Sequence, residues 1–157
     1  MKLEGKRIFV TGGAGFIGSE LCAKLLEKGN EVTCFDNFSS GNEEFIAGIR
    51  SNPKFAVVKG DMLKVRELRN ALRNCETVIH LAANPDVRLG QSDTNVHFEQ
   101  NVVATYNLLE AMKSQKKMRL PIWNLSKSLS GRTSLASSRH TGRTRTTRFM
   151  RRMMMVI

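Results

Sequence analysis

The chain has 157 residues, of which 41% are hydrophobic, so it can bury the core of one domain but not of two. Its net charge of +11 is unevenly distributed along the chain. Residues 1–110 hold all 14 acidic residues and 13 of the 25 Lys and Arg, whereas residues 111–157 hold the other 12 and no acid. Neither part contains an apolar signal segment or the roughly 18 apolar residues that a spanning helix needs. We therefore expect a cytoplasmic protein with no membrane partner.

Strands and helices alternate along the first 122 residues. Short apolar runs predict β strands at 7–11, 31–36, 55–59 and 77–82, and a fifth strand that starts at Pro121–Ile122. Apolar residues at helical spacing predict helices at 14–28, 43–50, 63–74 and 93–115. In the last helix one face carries Phe98, Val102, Thr105, Leu109 and Met112. This alternation predicts an α/β fold with a doubly wound parallel sheet.

A glycine-rich segment, T-G-G-A-G-F-I-G at 11–18, separates the first strand from the first helix. Gly12, Gly15 and Gly18 have the spacing of dinucleotide-binding loops, which need a tight turn, a close approach of the backbone to pyrophosphate, and close packing of helix on strand. The helix that follows offers its free N–H groups to phosphates. The pattern predicts a Rossmann-type domain, and the alternative is a turn without a ligand.

Asp36 ends the second strand, 18 residues after Gly18. A carboxylate at this place can accept hydrogen bonds from both ribose hydroxyls of an adenosine, and it repels a 2′-phosphate. We therefore expect NAD rather than NADP as the cofactor. The alternative role for Asp36 is to cap a loop.

Four further segments resemble the extended short-chain dehydrogenases/reductases, in particular the NAD-dependent epimerase/dehydratase family and its UDP-glucose 4-epimerases. Residues 36–41 resemble the D-N-x-x-x-G loop of that family, residues 60–62 its G-D-I/M segment, and residues 80–83 its H-L-A-A segment. Residues 101–111 resemble its N-V-x-G-T-x-N-L-L-E-A helix, with Ala104 in place of glycine. The resemblance implies NAD as the cofactor and a UDP-sugar or related nucleotide sugar as the substrate of the intact enzyme.

The resemblance also implies the cofactor contacts. It places Asp61 and Met62 at the adenine and Asn101 near the nicotinamide. The expected cofactor-binding residues are Gly12, Gly15, Phe16, Ile17, Gly18, Asp36, Asn37, Ser39, Ser40, Gly41, Asp61, Met62, Leu81, Ala82, Ala83 and Asn101. Two of them have plainer alternatives, since Asp61 could cap a helix and Asn101 could simply bond two elements together.

Two other kinds of side chain, histidines and cysteines, have structural roles in our interpretation. His80 lies in an apolar strand and is expected to be a hydrogen-bonded core histidine, and His97 is expected on a helix surface. The cysteines Cys22, Cys34 and Cys75 form no C-x-x-C pair, so we expect reduced, mostly buried thiols and no metal site.

The catalytic groups of the resembled family, a Tyr-x-x-x-Lys pair with a Ser or Thr, are missing. The single tyrosine is Tyr106, and the residue four positions later is Glu110 rather than Lys. We therefore assign no catalytic residue, expect Tyr106 to pack on its helix, and expect the chain to be a truncated, inactive form.

Residues 123–157 are rich in Ser, Thr and Arg, contain no acid, and predict a disordered or poorly packed tail. The resemblance ends near residue 122, so translation in a shifted reading frame is the expected origin. The alternative is a non-catalytic NAD-binding module whose basic arm binds nucleic acid. The arginines of that arm are Arg139, Arg143, Arg145, Arg148, Arg151 and Arg152. An unpaired sheet edge would also allow a homodimer.

Overall fold

The computed structural model describes residues 3–84, 86, 94–113 and 115. The predicted strand at Pro121–Ile122, most of the loop after residue 84, and the tail at 123–157 lie outside the described residues. Within the described ranges, no helix combines the length and the apolar character that crossing a bilayer requires.

In the described part of the chain, four parallel strands form one sheet in the order β3-β2-β1-β4. Their bounds are β1 Arg7–Thr11, β2 Glu31–Asp36, β3 Phe55–Lys59 and β4 Thr77–His80. The chain therefore crosses the sheet after β3 and pairs β4 with β1, for example Val10 with Ile79. This order leaves a crevice at the carboxyl ends of β1 and β4, where the direction of winding changes. The prediction of a Rossmann-type α/β fold is confirmed.

The helices cover both faces of the sheet. They are α1 Phe16–Glu27, α2 Glu43–Ile46, a 3-10 turn at Ala47–Ile49, and α3 Val65–Ala71. The long helix consists of α4 Thr94–His97, a π-helical segment Phe98–Val103, and α5 Ala104–Lys113. Alternate residues of β1 point to opposite faces, so Ile8 and Val10 pack with α1, while Phe9 packs with α3 and α5.

The predicted boundaries hold for β1, β2 and β3. The fourth strand, predicted at 77–82, ends at His80, and the helices are shorter than predicted. Helix α1 begins at Phe16 because Ala14 still belongs to the loop, and Gly29 ends it with a φ of 78°. Helix α3 begins only at Val65. Leu63, which the predicted helix at 63–74 included, precedes the helix and is 37% exposed, because its N–H bonds the Asp61 side chain in a turn.

The long helix does not bury the face that the sequence indicated. Phe98 and Val102 are each 55% exposed. The buried residues of α5 are instead Ala104, Asn107, Leu108 and Ala111, of which the three apolar ones join the α3 side of the core. The π-helical turns hold more residues each than an α-helix, so a stripe counted at 3.6 residues per turn does not stay on one face.

The cysteines are confirmed as free thiols. Cys22 and Cys34 are fully buried and Cys75 is half-buried. No group of three or more His, Cys, Asp or Glu side chains in the described part is arranged as metal ligands.

Candidate functional site

The glycine loop joins β1 to α1 with very little free space. Gly12 has a φ of 68°, and a Cβ on it would lie 2.7 Å from the backbone nitrogen of Ala82. A Cβ on Gly18 would lie 2.0 Å from the carbonyl oxygen of Gly12. A Cβ on Gly15 would meet only that same oxygen, at 3.3 Å. Gly12 and Gly18 are therefore required by the fold, whereas Gly15 leaves room in front of the helix.

Asp36 holds two loops together at the end of β2. Its side chain is buried, with Oδ2 accepting the Ala14 N–H at 3.0 Å and Oδ1 accepting the Phe38 N–H at 2.9 Å. The N–H of Asn42 also donates to the Ala14 carbonyl oxygen at 3.0 Å. The acid thus has the loop-capping role, and each of its oxygens keeps a lone pair that can accept a ligand hydroxyl.

A groove of about 410 Å³ opens at the carboxyl ends of the strands. Fifteen of the sixteen expected cofactor residues line it, drawn from the glycine loop, the segment after β2, the turn after β3 and the segment after β4. They are Gly12, Gly15, Phe16, Ile17, Gly18, Asp36, Asn37, Ser39, Ser40, Gly41, Asp61, Met62, Leu81, Ala82 and Ala83.

Several groove residues were missed by the sequence reasoning. They are Phe35, Phe45, Gly60, Leu63, Asn84, Gln100 and Ala104. Gly60 and Ala104 lie inside recognised segments, so the signal was present. Phe45 carries no such signal: it reaches the groove because α2 is anchored to the glycine loop through Asn42, and its ring meets that of Phe16 edge-on at 6.2 Å.

Asp61 serves the turn before α3 as well as the groove. Its Oδ1 accepts the Leu63 N–H at 2.9 Å, and its own N–H donates to Glu67 Oε2 at 3.0 Å. That backbone hydrogen bond lowers the pKa of Glu67. The turn-capping role and a place on the groove wall therefore coexist in one residue.

Asn101, the sixteenth expected residue, lies behind the groove wall. Its Oδ1 accepts the N–H of Asn84 at 2.8 Å, so this side chain connects the long helix to the segment after β4. Its Nδ2 lies 3.3 Å from His97 Nδ1. The expectation of a surface position for His97 is wrong, since the ring is half-buried and its Nε2 is shielded from solvent. The helix turns this ring inward, toward Asn101.

His80 is hydrogen-bonded at both ring nitrogens, as expected for a core histidine. Nδ1 lies 2.7 Å from Thr11 Oγ1, and Nε2 lies 3.0 Å from Thr105 Oγ1. Burial lowers the pKa of His80 to about 4, because the charged form would lose its hydration. The imidazole is therefore neutral at pH 7.

A model of the NAD dependent epimerase/dehydratase family matches residues 8–152. The chain belongs to this family. The resemblance found in the sequence is thereby confirmed. The matched range continues past residue 122, where we expected the resemblance to end.

Known members of the family are similar over the described domain. The UDP-glucose 4-epimerase of Corynebacterium glutamicum is 37% identical over 108 residues, which are 69% of this chain and 31% of that protein. The dTDP-glucose 4,6-dehydratase of Streptomyces venezuelae, solved with NAD bound, is 31% identical with a TM-score of 0.69, covering 73% of this chain and 38% of that one. The UDP-glucose 4-epimerase of Thermus thermophilus, in complex with NAD, is 33% identical with a TM-score of 0.64, covering 73% and 36%. The chain spans about a third of the length of these relatives.

The tyrosine of this family member stands away from the groove. Tyr106 is 60% exposed, so the expectation that it packs on its helix is wrong. Four residues later, Glu110 accepts a hydrogen bond from Lys113. The side chain faces outward because Asn107 and Leu108 occupy the inner side of α5.

Proposed function

We propose that this chain is the NAD-binding N-terminal portion of a nucleotide-sugar epimerase or dehydratase, similar to UDP-glucose 4-epimerase, and that the 157 residues alone do not turn over a sugar nucleotide. The observation that supports this most strongly is the convergence of the glycine loop, Asp36 and the segment after β4 on one groove. The NAD-bound relatives reported above add support.

The charge and burial of the groove favour NAD over NADP. Asp36 is only 8% exposed and lies where the ribose of a dinucleotide is held in this fold. A 2′-phosphate placed there would face a buried carboxylate whose two oxygens already accept backbone hydrogen bonds. The adenine would lie toward Asp61 and Met62, and the nicotinamide toward the wall at 81–84.

The proposed lack of turnover follows from the side chains. In the resembled family, a tyrosine with a neighbouring lysine removes the sugar hydroxyl proton while hydride passes to NAD. The one tyrosine of this sequence, Tyr106, is exposed and four residues from Glu110, and it does not line the groove. The groove therefore has no phenol for this chemistry.

Titration of the full chain with NAD and NADP by calorimetry tests the cofactor. We expect weak but saturable binding of NAD and at least about tenfold weaker binding of NADP. In Gly15→Ala, the added methyl enters the space in front of the helix and should weaken NAD binding at least about tenfold. Gly48→Ala is the matched control, since a Cβ there meets nothing within 4 Å. Equal effects of the two substitutions would refute the assignment of the groove.

The tail and the substrate need separate measurements. Resequencing the coding DNA from about codon 115 shows whether a shifted frame restores a Ser/Thr-rich strand end and Tyr-x-x-x-Lys, which we expect. If resequencing instead confirms the reading frame of the given sequence, the basic arm is a real segment. Its binding to nucleic acid is then tested by a salt-dependent mobility shift. Detectable 4-epimerisation of UDP-glucose by this chain would refute the proposed inactivity.

A further inference from the structure

Polar side chains connect the end of β1 to the long helix through the interior of the domain. Thr11 Oγ1 lies 2.7 Å from His80 Nδ1, and His80 Nε2 lies 3.0 Å from Thr105 Oγ1. Thr105 Oγ1 donates in turn to the carbonyl oxygen of Asn101 at 2.6 Å. These contacts form a continuous chain of hydrogen bonds across three elements.

Each proton in this chain can be assigned by elimination. A carbonyl oxygen only accepts, so the Thr105 hydroxyl hydrogen points at Asn101, and the Thr105 oxygen accepts from His80 Nε2–H. A neutral imidazole carries a single ring hydrogen, so His80 Nδ1 has to accept the hydroxyl hydrogen of Thr11. The direction of every bond is thus fixed by the carbonyl of Asn101.

The chain ends on the backbone wall of the groove. With its hydrogen committed to His80, Thr11 Oγ1 is left as an acceptor. It receives the N–H of Ala82 at 3.2 Å, and it shares the N–H of Leu81, at 3.1 Å, with the backbone carbonyl oxygen of Thr11. At the other end of the wall, the side chain of Asn101 accepts the N–H of Asn84. A Thr11 hydroxyl turned the other way would point its hydrogen at the two N–H groups and repel them.

We propose that His80 is a positioning residue for the cofactor groove. As the Nε2–H tautomer, His80 orients the Thr11 hydroxyl, and this hydroxyl in turn holds Leu81 and Ala82 in the geometry that binds the cofactor. Leu81 and Ala82 both line the groove, so a displaced wall changes its width. The inference rests on the proposed binding of NAD, and its test has one part that requires no cofactor.

The tautomer is measurable on the full chain without NAD. Long-range ¹H–¹⁵N NMR spectra at pH 7 distinguish a protonated ring nitrogen from an unprotonated one. For His80 we expect hydrogen on Nε2 and none on Nδ1. Hydrogen on Nδ1 would overturn the proposal, whatever the chain does with NAD.

Two replacements separate the two nitrogens in NAD titrations. The amide oxygen of His80→Asn keeps an acceptor near the position of Nδ1. The longer side chain of His80→Gln can place its amide donor near the position of Nε2 but leaves no acceptor near that of Nδ1. We expect His80→Gln to bind NAD about tenfold more weakly than the unmodified chain, and His80→Asn to bind NAD within about twofold of the unmodified chain. Equal weakening in two folded variants would overturn the proposal.

Thr105 gives a second route if the His80 variants do not fold. Thr105→Val removes the acceptor that selects the tautomer, and we expect NMR signals from both tautomers and several-fold weaker NAD binding. Thr94→Val is the matched control, an exposed threonine on the same helix. An unchanged tautomer in Thr105→Val would overturn the proposal. Failure of the unmodified chain to bind NAD would refute the proposed function and leave the tautomer result intact.

Discussion

Acid should destabilise this domain through His80, because the folded state resists protonation of that ring. The pKa of His80 lies at about 4 in the fold, against about 6.5 in an unfolded chain. The unfolded state therefore binds the proton first, so the contribution of His80 is fully present above about pH 6.5 and is lost as the pH falls toward 4. At about 1.4 kcal/mol per pKa unit, the difference of about 2.5 units amounts to about 3 kcal/mol.

Urea unfolding of the chain and of His80→Asn at several pH values measures this loss. The free energy of unfolding of the unmodified chain should fall by about 3 kcal/mol more between pH 7 and pH 4 than that of the variant, which has no ring to protonate. Carboxylates titrate in both proteins, so they cancel in the comparison. If the free energy of unfolding falls with pH by the same amount in both proteins, the reasoning is refuted.

Two substitutions test the packing around the groove. In Gly18→Ala the new Cβ would lie 2.0 Å from the Gly12 oxygen, so the loop or helix must shift, and thermal unfolding should show a loss of about 3 kcal/mol or more; a melting temperature equal to that of Gly48→Ala would contradict this. Leu108→Ala empties a side-chain site that is only 1% exposed between α5 and α3, and should cost about 2–5 kcal/mol in denaturant unfolding. A loss below about 1 kcal/mol would mean that the long helix does not pack there.

The sheet and most of the groove could be predicted because their signals are local. Three strands have the bounds that their apolar runs indicated, and the glycine spacing identified Gly12 and Gly18 as tightly packed. Gly18 is constrained by Gly12, which is close in sequence, and Gly12 by Ala82, which the pairing of β1 with β4 brings beside the loop. The groove follows once parallel strands bring their carboxyl ends together.

The long helix could not be predicted in the same way. A π-helical segment changes the number of residues per turn, and nothing in the composition of residues 98–103 indicates it. As a result the exposed positions of Phe98 and Val102 were missed. The inward turn of His97, which lies just before that segment, was missed as well. Phe45 was missed for another reason, since its place in the groove depends on a hydrogen bond between Asn42 and Ala14, two segments distant in sequence.

The double anchorage by Asp36 bears on any attempt to redesign the cofactor preference of this domain. Replacing an acid at the end of the second strand by a small or basic residue is the direct way to make room for a phosphorylated ribose. Here the same carboxylate accepts the N–H groups of Ala14 and Phe38, and so fixes the shape of the glycine loop. A one-residue exchange would remove the negative charge and disturb the loop geometry together. A redesign has to supply new acceptors for both amides before it changes the charge.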